Sequence, residues 1–301
     1  MKLVIGIAMV FIFSCQHTQK KSVPEKAATK SIETKIPEIK NSDPVPEVKI
    51  PPEATPPIVP VGSHKAVPNF GIIFSGGGAR TWAHVGVLKE MQKYKFPIVS
   101  VAGIEWGAVI GAIYAQNLSS NEVEWEMSKF KSLDKSDEFL QTVFAKKSVS
   151  DMKTSFVCPS INLKSQNVYL LNRGHVDQFL PFCVSSPGLA KPYGQSTALM
   201  TDLSVLIQQL KSTGVQKIIL INVLSSKNVK PFVKSLESVE NQVWVAAAAQ
   251  LAKKNIGIDE LIEIDISDVG IDGFDQRRET MAKGAELGYN QIKKMADKYG
   301  L

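Results

Sequence analysis

Phe70-Gly71-Ile72-Ile73-Phe74-Ser75-Gly76-Gly77-Gly78-Ala79-Arg80 is the stretch that decides the fold of this chain. Its opening apolar run suits a strand buried on both faces of a parallel sheet, and the glycine triplet after it opens a helix reaching to about Lys93. Backbone N–H groups at such a turn converge on an anion, helped by the helix dipole and here by Arg80. Many phosphate-binding loops share a glycine triplet. The continuation narrows the choice: His84-Val85-Gly86-Val87-Leu88 follows, and a second turn, Gly103-Ile104-Glu105-Trp106-Gly107, comes some twenty-five residues after the triplet.

The second turn has the G-x-S-x-G spacing of a nucleophile elbow, with glutamate where the serine stands. Ile98–Ala102 is the strand that enters it and Trp106–Ala115 the helix that leaves it. Small residues at Gly107, Ala108, Gly111 and Ala112 let that helix pack closely on a sheet. Taken alone, the motif also fits a plain strand-to-helix turn carrying a surface glutamate.

Together these segments resemble the patatin-like phospholipases, whose loop reads G-G-G-x-[RK]-G, whose next helix carries H-x-G-[VI]-L and whose elbow reads G-x-S-x-G. The resemblance runs from about Asn69 to the C-terminus and takes in Ser185-Ser186-Pro187-Gly188, similar to the family's A-I-P-G segment. It also takes in the strand Lys217–Val223, and Phe274-Asp275 with a terminal helix containing Gly284. It implies a three-layer α/β/α fold with a mostly parallel central sheet, and Gly76, Gly77, Gly78 and Arg80 as the oxyanion or anion-binding loop.

The family's serine–aspartate dyad is not intact by this alignment. Glu105 stands at the nucleophile position. The aspartate of the family's D-G-G/A motif falls at Ser196, counting back from Lys217 through Thr201-Asp202-Leu203-Ser204-Val205, and Ser196-Thr197-Ala198 contains no carboxylate. Asp202 is the nearest acid but lies off register. Thr81 replaces the last glycine of the loop. Glu105 as a glycosidase-type carboxylate lacks a partner. A swapped dyad, with Ser196 as nucleophile and Glu105 as base, leaves the oxyanion donors facing the wrong atom. His17, His64, His84 and His175 have no ligand spacing, so no metal site and no cofactor are expected. His84 reads as a packed structural histidine, and Trp82 and Trp106 as core residues that also suit an acyl groove. The longer glutamate side chain is expected to reach the loop amides of Gly77 and Gly78 with Arg80 nearby, so its carboxyl is expected to titrate below the usual range.

Residues 1–15 read as a lipoprotein signal peptide: Lys2, then an apolar run from Leu3 to Phe13 too short to span a bilayer, then Ser14-Cys15. Cys15 is the expected lipid-attachment residue; an ordinary secretory signal with a chance cysteine is the other reading. Gln16 after it points to the outer membrane, with the chain facing the periplasm. Residues 16–68, rich in Pro, Lys, Glu and Ser, form a linker that cannot bury a core, with a reach of roughly 40 Å as a coil to roughly 160 Å extended. Residues 69–301 then make one α/β domain, with strands at Phe70–Phe74, Ile98–Ala102, Ser155–Leu163, Lys217–Val223 and Leu261–Asp265, a hairpin arm at Gln166–Arg173, and a capping box at Ser119-x-x-Glu122.

Ser132–Ser155 is expected to be a short charged lid over an open pocket. Cys158 and Cys183 are read as two buried thiols, a disulfide being permitted outside the cytosol. The net charge of +6 is spread along the chain and suits a solvated basic surface or acidic partners, with no nucleic acid among them. These features point to a non-hydrolytic envelope lipoprotein, tethered to the membrane through acyl chains, that binds a lipid, an anionic ligand or a protein partner. An acyl hydrolase with a rearranged site and a purely structural envelope protein are the alternatives.

Overall fold

The computed structural model describes residues 66–199, 202–224, 238–253 and 257–301, all within the unit spanning Gly62–Leu301. Residues 1–65, and with them Cys15, the signal peptide and almost all of the linker, lie outside the described residues.

The chain alternates strands and helices. In order they are β1 (Phe70–Phe74), α1 (Trp82–Lys93), β2 (Ile98–Gly103), α2 (Trp106–Asn117), α3 (Ser120–Ser128), α4 (Ser136–Phe144), β3 (Ser155–Asn162), β4 (Val168–Leu171) and α5 (Val176–Val184). There follow β5 (Ser196–Thr197), α6 (Ser204–Lys211), β6 (Lys217–Asn222), α7 (Val239–Leu251), β7 (Glu260–Glu263) and α8 (Arg277–Tyr299). The sheet runs β4-β3-β2-β1-β6-β7, with β5 also paired to β3. The β1–β2, β1–β6, β2–β3 and β6–β7 pairs are parallel, and β4 and β5 join β3 antiparallel.

Every residue of β1 is buried, as its unbroken apolar run requires at the centre of a sheet covered on both faces. Phe70, Ile72 and Phe74 face a layer built from α1 to α5 and α8, while Ile73 faces α6 and α7. The architecture is three layers, α/β/α. Helices α1 and α8 cross so closely that a Cβ on Gly86 would lie 2.1 Å from the Met281 carbonyl oxygen, and one on Gly284 would lie 2.2 Å from that of Ala83. At α3 the Ser119 hydroxyl accepts from the Glu122 N–H, the N-cap bond its sequence called for.

Two expectations change. The Ser132–Ser155 stretch is not simply a charged lid, because α4 turns Phe139, Leu140, Val143 and Phe144 into the core. Cys158 and Cys183 are bonded to each other, not two separate thiols: the β3–β4 hairpin returns the chain to α5 beside β3 and brings their Cα atoms to 5.9 Å. The bridge joins residues 25 apart in sequence and ties the sheet to the helical layer. By loop entropy it contributes about 3 kcal/mol. Replacing both cysteines with alanine is expected to lower the urea unfolding midpoint by that amount of stability, read from denaturation curves of equal slope.

Candidate functional site

Parallel register sets the site. Phe74, the last residue of β1, pairs with Gly103 of β2 on one side and Ile221 of β6 on the other. The turns after β1 and β2 therefore emerge side by side at the carboxyl end of the sheet, where ligands of open α/β folds bind. The Ile104 N–H donates to the Phe74 carbonyl at 3.0 Å and locks the two turns together.

At the second turn Glu105 adopts φ 55°, ψ −133°, a conformation an L-residue rarely takes. It is accommodated because Gly76 across the gap and Gly107 two residues on leave room for the turn. A Cβ on Gly107 would lie 2.4 Å from the Ser75 carbonyl oxygen, and one on Gly76 would lie 2.9 Å from Glu105 Cβ. The strained turn aims the side chain across the gap. Glu105 Oε2 accepts from the Gly77 N–H at 3.0 Å and the Gly78 N–H at 2.8 Å, and Oε1 accepts from the Ser186 hydroxyl at 2.9 Å. The residue is 0 % exposed.

The loop itself is held open for this contact. Gly78 has φ 53°, and a Cβ there would collide with the Ile271 carbonyl oxygen at 2.1 Å. Thr81, buried where the resembled loop has glycine, donates its hydroxyl to the Gly78 carbonyl at 2.6 Å and so braces the turn. His84 Nε2 donates to the Ser75 carbonyl at 2.9 Å, and burial pushes the imidazole down to about 4, so it is neutral.

Comparison with known proteins agrees with this layout. A family model described as patatin-like phospholipase matches residues 72–202. Residues 72–202 belong to the patatin-like phospholipase family. Among curated proteins, a lysophospholipase of Neurospora crassa is 24% identical over 198 residues, covering 57% of this chain and 13% of the relative. One from Candida albicans is 22% identical over 186 residues, covering 54% and 13%. This chain thus spans a small part of those relatives' length. Among solved structures, VipD from Legionella pneumophila superposes with a TM-score of 0.44 at 10% identity, covering 76% of this chain and 67% of that one. The ExoU–SpcU complex of Pseudomonas aeruginosa gives 0.41 at 12% identity, covering 77% and 52%.

The remaining patatin-motif positions fall as follows. Ser196 is in β5, paired with Asn162 of β3, and no hydrogen bond joins it to Glu105. Asp202 accepts from the Ser204 N–H at 2.9 Å and starts α6, a local capping role. Arg80 lies in the loop but its guanidinium points away from the carboxylate: Nε donates to the Val269 carbonyl at 2.7 Å and Nη2 to that of Ser267 at 3.3 Å. Burial lowers its pKa to about 10, with Asp265 and Asp268 opposing. Trp106 packs among Phe130, Phe139 and Phe274, and Trp82 is equally buried. Among the described residues no group of three or more His, Cys, Asp or Glu side chains is placed to hold a metal ion.

Ser186 is the partner that the motifs do not mark. It occupies the isoleucine position of the A-I-P-G segment, so a polar residue in an apolar slot was the available signal. A second correction concerns charge. Burial raises the Glu105 carboxyl above its ordinary value of 4.5, outweighing the opposing bonds from Gly77, Gly78, Trp106 and Ser186, and no cation among the described residues is paired with it. In its neutral form the same oxygens serve: Oε2 still accepts from the two amides, and a protonated Oε1 donates to the Ser186 oxygen.

A raised folded-state value means the folded chain holds a proton that the unfolded chain releases first. Stability is then full below about pH 4.5 and declines by up to about 1.4 kcal/mol per pH unit until pH reaches the folded value. Glu105→Gln keeps both sets of hydrogen bonds without the charge. It is expected to remove that decline and to be at least about 1 kcal/mol more stable than the parent at pH 7, measured by denaturation across pH 4–8.

Proposed function

We propose that this chain carries a non-hydrolytic patatin-like domain whose oxyanion loop is filled by its own side chain. One observation carries the reading: Glu105 Oε2 sits 3.0 and 2.8 Å from the Gly77 and Gly78 amides. A tetrahedral intermediate needs such donors at about 2.7–3.1 Å from its oxyanion, and here they are already engaged. Glu105 does not replace the serine as nucleophile, since the carboxylate that attacks and the carbonyl under attack would compete for the same two N–H groups.

The hydrolase alternative takes a new form. Among the described residues the only hydroxyl bonded to Glu105 is that of Ser186, which makes Ser186 the nucleophile and Glu105 its base. The same competition argues against it, and both side chains are buried. The lysophospholipase activity named for the fungal relatives would reach this chain only by such a rearrangement. A purely structural envelope role is the remaining alternative.

At the cell envelope, the reading is of a domain tethered to the outer membrane through Cys15 and binding a lipid, an anionic ligand or a protein partner. The Cys158–Cys183 bridge supports an oxidising compartment. Cys15→Ala is expected to move the chain from the membrane to the soluble fraction, and unchanged fractionation would remove the tether.

The activity test is direct. The full chain is expected to show no turnover of a nitrophenyl ester or a lysophospholipid above background, because loss of a nucleophile costs about 10⁴-fold or more. Robust turnover abolished by Ser186→Ala would establish the rearranged hydrolase instead.

A further inference from the structure

A hollow of ≈ 580 Å³ lies at the opposite end of the sheet from Glu105, lined by residues 148–150 and 152–154, the 172–174 connection and the C-terminal end of α6. Ser100 and Ser155, at the beginnings of β2 and β3, contribute to its wall. Ser100 is five residues before Glu105, about 16 Å along the strand direction, so the two sites are separate.

Its chemistry is consistent around the wall. Arg173 and Lys153 supply two cations, and the lining contains no carboxylate. Lys153 Nζ donates to the Asn117 carbonyl at 3.1 Å, which balances no charge. Arg173 has no hydrogen-bonding or ionic partner among the described residues. Asp151, the adjacent acid, accepts from the Ser148 N–H at 3.1 Å and is not part of the wall. The half-buried side chains of Asn172 and Gln209 face this wall and carry both a donor and an acceptor. Ser100 and Ser155 add groups that both donate and accept.

We propose that this hollow binds an anionic saccharide, a sugar bearing a phosphate or carboxylate group. The guanidinium of Arg173 takes the acid group, where charge-assisted bidentate bonds are strongest. Asn172 and Gln209 take sugar hydroxyls, since paired donor–acceptor groups match hydroxyls better than they match a bare anion. The volume also exceeds what an inorganic anion fills and falls within the range of small-molecule sites.

Isothermal titration of the full chain with glucose 6-phosphate, glucuronate, glucose and inorganic phosphate tests this. At least one of the two anionic sugars is expected to bind with Kd below about 1 mM, with glucose and inorganic phosphate each at least about tenfold weaker. Which acid binds tells phosphate from carboxylate. Arg173→Ala is expected to weaken the bound sugar about tenfold or more. Asn172→Ala, at a half-buried position of the wall, is expected to weaken it about threefold or more with no loss of melting temperature. Glu105→Gln should leave it unchanged, so failure here is distinguishable from failure of the non-hydrolytic reading. Binding of inorganic phosphate as tight as that of the sugar, no binding tighter than about 10 mM, or affinity indifferent to Arg173→Ala and Asn172→Ala would each overturn the proposal.

Discussion

The carboxyl group of Glu105 lying on two glycine amides is the contact on which the rest of this site depends. The amides of Gly77 and Gly78 are buried donors at the start of a helical turn, and leaving them unpaired would cost about 1–3 kcal/mol each. In a serine hydrolase of this kind, solvent or substrate answers that need. Here a side chain from the neighbouring turn does, and it brings Ser186 with it as a third partner. The cost is a carboxyl group removed from water with no cation beside it, which the protein lowers by favouring the neutral form.

Several independent features hold the two turns at the required separation. Parallel pairing of β1 with β2 and β6 fixes their height, and Ser75 stitches the gap by accepting the Val223 N–H on its hydroxyl and the His84 ring N–H on its carbonyl. Gly107 admits the backbone of β1 at a distance that no side chain permits. These are the same devices that would present a nucleophile, and the strained dihedral angles at Glu105 persist with a different residue in place. The turn therefore keeps the geometry of an elbow, with a carboxyl group where the resembled motif has a hydroxyl.

Much of this was legible in the sequence because it follows from local rules. The apolar run of β1 and the glycine spacing identified the buried strand and the turn, and two extra carbons on glutamate relative to serine placed its carboxyl near the loop. What local rules miss is the environment around those residues. The sequence counted donors and assigned Glu105 a depressed pKa, but the sign depends on burial and on where Arg80 points, and its guanidinium turns to the carbonyls of Ser267 and Val269. The Cys158–Cys183 bridge and the inward face of α4 depend on how distant segments return to the sheet, which spacing does not encode. Ser186 was visible only as a polar residue in an apolar slot, and its meaning appears once Glu105 is seen opposite it.

The most direct test is an NMR titration that follows the Glu105 side-chain carboxyl carbon together with the amide protons of Gly77 and Gly78. If the carboxyl group fills the loop, all three signals move with a single midpoint above 4.5, and the amide protons report the change because they bond to the titrating oxygen. A Glu105 midpoint at or below that value, with glycine amides that do not follow it, would show that the carboxyl group lies elsewhere and that the loop is open.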